Sequence, residues 1–171
     1  MNAEVAKKLI NEKFSGKVDK GGSLYIGHLY RVANSVLNDW KTNEVIQNSS
    51  LQKFYEDAYI VALLHDIIED TDVTPTNLIE YGFNQDIVDA VCAITRNSEE
   101  SYLDFILRVK TNKIASLVKR YDLEDNMDIR RLERFNKIDQ KRLKKYFYSW
   151  RFITDKITYE EYAYELFDLN I

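Results

Sequence analysis

Proline occurs once in 171 residues, at position 75, and glycine five times, so little in this chain can stop a helix. Between these few breakers, apolar residues recur at intervals of three and four, the spacing of a helix face rather than a strand face. Residues 2–14 read as a first helix, with Val5, Leu9, Ile10 and Phe14 on one side and Gly16 past its end. The loop "GKVDKGGSLYIG" follows, then a second helix over residues 26–40 carrying Leu29, Val32, Ala33, Val36, Leu37 and Trp40. A third is expected over residues 51–68 and is apolar on nearly all sides near its end, which places it centrally. Thr74 suits a cap, Pro75 a first helical position and Gly82 a stop, and Asn84 can cap a fifth helix through Ile94. "ESYLDFILRVK" and "NKIASLVKRYDLEDNM" supply two more helices, and residues 139–153 and 158–169 complete the chain. The fold expected is all-α: a single compact domain over residues 1–171 with about nine helices.

With 45% apolar and 30% charged residues the mixture is that of an ordinary soluble domain. Twelve tyrosines point to many positions with a buried ring and a wet hydroxyl. A net charge of −4 argues against a duplex nucleic-acid surface, which needs clustered Lys and Arg, but leaves room for a small anionic ligand. Cys92 is the only cysteine, so no internal disulfide can form, as expected in a reducing compartment. The first residues, "MNAEVAKKLINEKF", lack the apolar stretch of a signal peptide, and no apolar run reaches the about 18 residues of a membrane span. The expected location is the cytoplasm.

The stretch "ALLHDIIEDTDVT" carries His65, Asp66, Glu69 and Asp70 directly after the apolar run of residues 59–64. On one continuous helix His65 lies beside Glu69 and Asp66 beside Asp70. Burying that much acid without partners is costly, and a cation offsets the cost. Imidazole and carboxylate together suit Mn²⁺, Fe²⁺ or Zn²⁺. Two ligands are too few, and the chain has only one other histidine, His28. Asp122 is an acidic candidate, on a helical face shared with Lys119 and Asn126. His28, His65, Asp66 and Asp122 would give two nitrogens and two oxygens, with room for water. The pattern alone leaves a second account equally open, a satisfied core histidine beside a solvated helix end.

These blocks resemble the HD-domain phosphohydrolases, and within them the (p)ppGpp hydrolase branch of RelA/SpoT hydrolase domains and small stand-alone hydrolases. That branch carries Gly-Thr-Pro-Tyr-Ile-x-His, then Ala-Leu-Leu-His-Asp-x-x-Glu-Asp-Thr, then Val-Lys-x-x-Asp-x-x-x-Asn. The corresponding stretches here are "GSLYIGH", "ALLHDIIEDT" and "VKRYDLEDN", in the same order and at similar separations within residues 16–132. "ITRNSEESYLDFILRV" followed by "DLEDNMD" is also similar to stand-alone bacterial or phage HD proteins described as GTP pyrophosphokinase-like. The resemblance implies one divalent ion, Mn²⁺ first and Fe²⁺ or Zn²⁺ as alternatives, held by His28, His65, Asp66 and Asp122. It assigns Glu69 and Asp70 to catalysis and Asn126 to the substrate or the active-site network. Ser23 and Tyr25 fall where the family's loop approaches the nucleotide, Lys119 falls on the lysine of Val-Lys, and residues 139–169 are left to pack on the motif region.

The chain departs from the pattern in places. The family's loop has a basic pair before its Asp, where this one has Lys17-Val18-Asp19; Leu24 replaces a proline, and Leu123 a residue that is often basic. The activity implied is a 3′-pyrophosphohydrolase of (p)ppGpp, in which an ion-activated water attacks phosphorus while Glu69 and Asp70 orient it and carry its proton. Another nucleotide or signalling molecule, or nucleotide sensing without turnover, is the alternative. Phosphates need cations, and Lys17, Lys20, Arg31, Arg96, Lys119 and Arg120 are those near the motifs; of these Lys17, Arg31 and Lys119 are the substrate-binding candidates. Arg108 is expected to form a structural ion pair with Asp104 or an acid of the next helix. The face of Tyr159, Tyr162 and Leu166 reads as packing, and an exposed part of it could make a homodimer contact.

Overall fold

The run over residues 58–64 leaves the chain least choice, because it is apolar on every side of a helix and so must be enclosed. In the computed structural model, which describes residues 2–19, 21–42, 48–132 and 134–169, it forms the end of α3 (Ser49–Leu64). Ala58 and Val61 to Leu64 have no exposed surface. Four helices enclose α3: α1 (Asn2–Lys13), α2 (Ile26–Thr42), α6 (Gln85–Ile94) and α8 (Lys113–Asn126). The single-turn α4 (Ile67–Asp70) and the short α5 (Pro75–Glu80) link α3 to α6. Helix α7 (Tyr102–Thr111) packs on α6 and α8. A 3₁₀ turn (Ile129–Arg131) leads to α9 (Lys137–Ile153), which lies along α8, and α10 (Tyr159–Asp168) packs on α9. Among the described residues there is no strand beyond an isolated bridge between Val18 and Leu24 in the glycine-containing loop.

Local chemistry sets the helix ends. Thr74 caps α5 with a reciprocal bond to Asn77, Pro75 occupies the first turn, and Asn84 caps α6 through the Ile87 amide. Gly82 adopts φ +87°, a conformation that costs a residue with a Cβ, and so stops α5. The principal difference from expectation is in the third helix. It does not run on to Ile68 but breaks after Leu64, where Asp66 takes φ −102° and ψ 4°. His65 therefore stays inside, 1% exposed, while Glu69 and Asp70 turn outward. A continuous helix would have stacked the four side chains on one face.

The ion pair expected of Arg108 forms with Glu100 instead, at 2.6 Å, because the guanidinium also caps the end of α6 through the carbonyls of Cys92, Ala93 and Thr95. Tyr162 and Leu166 are buried as expected, with Tyr162 stacked on Phe152 at 4.8 Å, whereas Tyr159 is exposed. No described helix is long and apolar enough to cross a membrane.

Candidate metal centre

Asp66 opens α4, a position where Asp commonly accepts a bond from the next turn's backbone. Its side chain makes no such cap. The carboxylate turns inward, with Oδ2 3.2 Å from His65 Nε2 and 3.7 Å from His28 Nε2. Asp122, one turn before the end of α8, approaches from the opposite side. Its Oδ1 lies 3.2 Å from His28 Nε2 and 3.6 Å from His65 Nε2. The two Nε2 atoms are 3.1 Å apart. Three separate segments thus bring His28, His65, Asp66 and Asp122 to one point, and His28, His65 and Asp122 are buried.

The outer nitrogens of the imidazoles decide what that point can hold. His65 Nδ1 lies 2.7 Å from the Ala62 carbonyl oxygen, which can only accept, so Nδ1 carries the proton. His28 Nδ1 lies 2.6 Å from Asp125 Oδ2, a carboxylate that His28 and the neighbouring arginines keep ionised against the opposing effect of its burial. This proton too faces outward, and each neutral ring offers its Nε2 lone pair to the centre. Two lone pairs and two carboxylate oxygens then face one another with no donor among the four ligand atoms. A cation resolves that, and the nitrogen–oxygen set is one that divalent transition ions take. His28, His65 and Asp122 could therefore bind a metal, with Asp66 beside them. Without one, protons take its place. Burial opposes charge on His65, but Asp66 and Asp122 outweigh it and hold its pKa well above the ordinary value; His28 is raised in the same way, chiefly by Asp122 and Asp125.

Further residues hold the carboxylates. Tyr25 Oη donates to Asp66 Oδ2 at 2.6 Å. Asn126 Nδ2 donates to Asp122 Oδ1 at 2.6 Å, and Lys119 Nζ to Oδ2 at 2.8 Å. Burial works against ionised Asp122, yet Lys119 and the two imidazoles hold its pKa well below the carboxylate range.

The centre sits at the floor of a cleft of about 600 Å³. Glu69 and Asp70 line its wall, and burial followed by the charge of Asp66 pushes both acids up from their ordinary pKa. The cleft is also lined by cations: Arg96, whose backbone amide meets the Glu69 carboxylate, and Arg131, Arg142 and Lys145, with Lys119 deeper. Arg142, Lys145 and Tyr146 come from α9, a helix whose sequence suggested packing alone. Their i, i+3, i+4 spacing places them on one face, which was the available signal. Asp125 was also missed, although it follows Asp122 at the same helical spacing.

Three expected substrate contacts lie elsewhere. Lys17 donates to the Asp70 carbonyl oxygen, and Arg31 is committed to Asp125 Oδ1 at 2.6 Å. Ser23 bonds through its backbone to Asp19 and does not line the cleft. Arg120 pairs with Glu124, and Lys20 lies outside the described residues.

The loop is fixed by a close approach. A Cβ on Gly21 would stand 2.1 Å from the Arg131 carbonyl oxygen. Gly21→Ala is expected to lower stability by about 1–3 kcal/mol, read as a drop in urea midpoint, because backbone must move to admit the methyl group.

No protein-family model matches the chain, and no curated protein matches its sequence. Its fold matches a solved structure, that of a metazoan ortholog of SpoT described as hydrolysing ppGpp and playing a role in starvation responses. The TM-score is 0.69, over 98% of this chain and 93% of that one, at 16% sequence identity. At that identity the likeness shows the fold, which is the all-α fold the sequence motifs led us to expect.

Proposed function

We propose that this chain is a metal-dependent nucleotide phosphohydrolase that removes pyrophosphate from the 3′ position of (p)ppGpp. The observation that carries the reading is the convergence of His28 Nε2, His65 Nε2 and the carboxylates of Asp66 and Asp122 on one point, with both Nδ1 protons turned away from it. The fold shared with a ppGpp-hydrolysing protein supports the choice of substrate. These four residues would hold the ion, Mn²⁺ first, with Fe²⁺ and Zn²⁺ suited to the same donors. A divalent ion supplies Lewis acidity there, acidifying water and drawing charge from a phosphoryl oxygen.

The chain's own residues do the rest. Water adds to the phosphorus attached to the 3′ oxygen, the bond from phosphorus to that oxygen breaks, and pyrophosphate leaves. One water proton must be taken up, and the departing 3′ oxygen must receive one. Glu69 and Asp70 stand on the cleft wall beside Asp66, with proton affinities raised towards the range in which a carboxyl can both accept and donate. Lys119 and Asn126 hold Asp122 ionised and oriented. Arg96, Arg131, Arg142 and Lys145 line the cleft and give it positive charge for phosphates, although Arg131 is already paired with Asp19 and Asp125 and Arg142 with Asp139.

A second reading keeps the chemistry and changes the nucleotide. The loop has one cation before Asp19, and Lys17 is bonded to the Asp70 carbonyl oxygen, so the basic pair of the (p)ppGpp hydrolases has no counterpart there. Mn²⁺-loaded protein incubated with ppGpp and a nucleotide panel, with products resolved by anion exchange, separates the readings. GDP and pyrophosphate from ppGpp, abolished by EDTA and restored by Mn²⁺, is the expected result. Turnover confined to other nucleotides would leave only the second reading. Tight binding without turnover would replace both with a sensing role.

A further inference from the structure

Asp125 belongs to none of the motif positions, yet it joins His28 to the cleft wall. Its Oδ2 takes the His28 Nδ1 proton at 2.6 Å and a bond from Arg131 Nη1, while Oδ1 takes Arg31 Nε at 2.6 Å. Arg131 continues outward, with Nη2 2.8 Å from Asp19 Oδ2. The other oxygen of Asp19 gathers the loop, accepting from the amides of Gly21 at 2.9 Å and Ser23 at 3.0 Å. An unbroken chain of charged hydrogen bonds therefore runs from the loop through Asp19, Arg131 and Asp125 to His28.

The two histidines are held by different means. His65, just past the end of α3, leans on the carbonyl of Ala62 in the last turn of that helix, an anchor set by local backbone. His28 leans on a side chain, and an imidazole without its outer partner can rotate or exchange tautomers. A carboxylate at Nδ1 fixes ring plane and proton together and raises the basicity of Nε2. Arg31 and Arg131 hold that carboxylate by charge-assisted bonds, which are the stronger kind.

We propose that Asp125 is the positioning residue of His28, and that Arg131 ties it through Asp19 to the glycine-containing loop, so that loop placement and ion affinity are set together. The inference rests on the reading of His28 as a metal ligand.

The test measures binding rather than turnover. Zn²⁺ and Mn²⁺ affinities are taken by titration calorimetry for the wild type, Asp125→Asn, Asp19→Asn, the double variant and an Asp66→Ala control. Asp125→Asn keeps the shape but sets an amide NH₂ against either His28 or Arg31, both donors, and is expected to weaken binding about 10–100-fold. Asp19→Asn, acting at a distance, is expected to weaken it about three-fold, and the double variant no further than Asp125→Asn alone, because both changes cut one chain.

Proton NMR of the ¹⁵N-labelled, Zn²⁺-loaded protein gives a second reading, simplified by the presence of only two histidines. The downfield Nδ1 proton of His28 should move or exchange away in Asp125→Asn, while that of His65 on Ala62 stays. A general loss of packing would move both. If Asp66→Ala loses the ion and Asp125→Asn keeps wild-type affinity, the positioning role is overturned and the metal reading stands. If Asp19→Asn binds as wild type while Asp125→Asn is weakened, the link to the loop is overturned. A wild type that binds neither ion removes the ligand reading of His28 and this inference with it.

Discussion

Turnover by His65→Ala is expected to fall by on the order of 10⁴-fold, with no recovery at millimolar Mn²⁺. His65 is 1% exposed and its Nε2 lies within 3.6 Å of His28 Nε2, Asp66 Oδ2 and Asp122 Oδ1. Its removal takes one of two nitrogens from the donor set and leaves two carboxylates facing a single imidazole. Extra metal cannot repair this, because the missing element is a ligand position rather than occupancy. Glu69→Gln serves as the contrast. Glu69 lies on the cleft wall and outside the buried cluster, so this variant should keep wild-type metal content and lose about 10²–10⁴-fold in kcat. Metal content by mass spectrometry beside kcat separates the two outcomes. A His65→Ala protein with turnover within ten-fold of wild type would remove the centre from the chemistry.

The helices were legible because their signals are local. Scarce breakers, three-and-four spacing and the caps at Thr74 and Asn84 act over a few residues, and the structure places those elements within a few residues of expectation. The break after Leu64 was not legible. "ALLHDIIEDT" reads as continuous helix by propensity, and Asp66 departs from it in the folded chain, where its carboxylate meets two imidazoles and the Tyr25 hydroxyl. The convergence of His28, His65, Asp66 and Asp122 was readable from chemistry and from the motif resemblance, since a carboxylate and a histidine after a buried run demand an explanation. The cationic wall of the cleft was missed for the opposite reason. Arg142 and Lys145 sit in a lysine-rich amphipathic helix, where charge is ordinary, and only the packing of α9 along α8 brings them to the site. Asp125 shows the same limit: its partners Arg31 and Arg131 lie 94 residues before it and 6 after it.

Metal-free protein should melt at its highest temperature on the acid side of neutrality, and saturating Mn²⁺ should reverse that trend. His28 and His65 have pKa values raised above their unfolded value, so their contribution is fully present below about pH 6.5 and is lost as pH rises through the folded values. Glu69 and Asp70, also raised, hold their protons longer in the folded chain, and their ionisation lowers stability in the same direction. Asp122 and Asp125 are depressed; their contribution is present above about pH 4 and is lost on acidification through their lower folded values. The metal-free optimum therefore lies between about pH 4 and pH 6.5. A one-unit separation between folded and unfolded pKa is worth about 1.4 kcal/mol, or about 3–6 °C in Tm for a chain of this size. The ion needs the same Nε2 lone pairs that the protons occupy, so its affinity grows as the histidines become neutral. At a hundred times its Kd it adds about 2.7 kcal/mol, and that gain is largest where the metal-free protein is weakest. Melting curves from pH 5 to 8, with EDTA and with Mn²⁺, should diverge as pH rises. Parallel curves would mean that protons and metal do not compete for one site, and His28 and His65 would lose their place as the ligands.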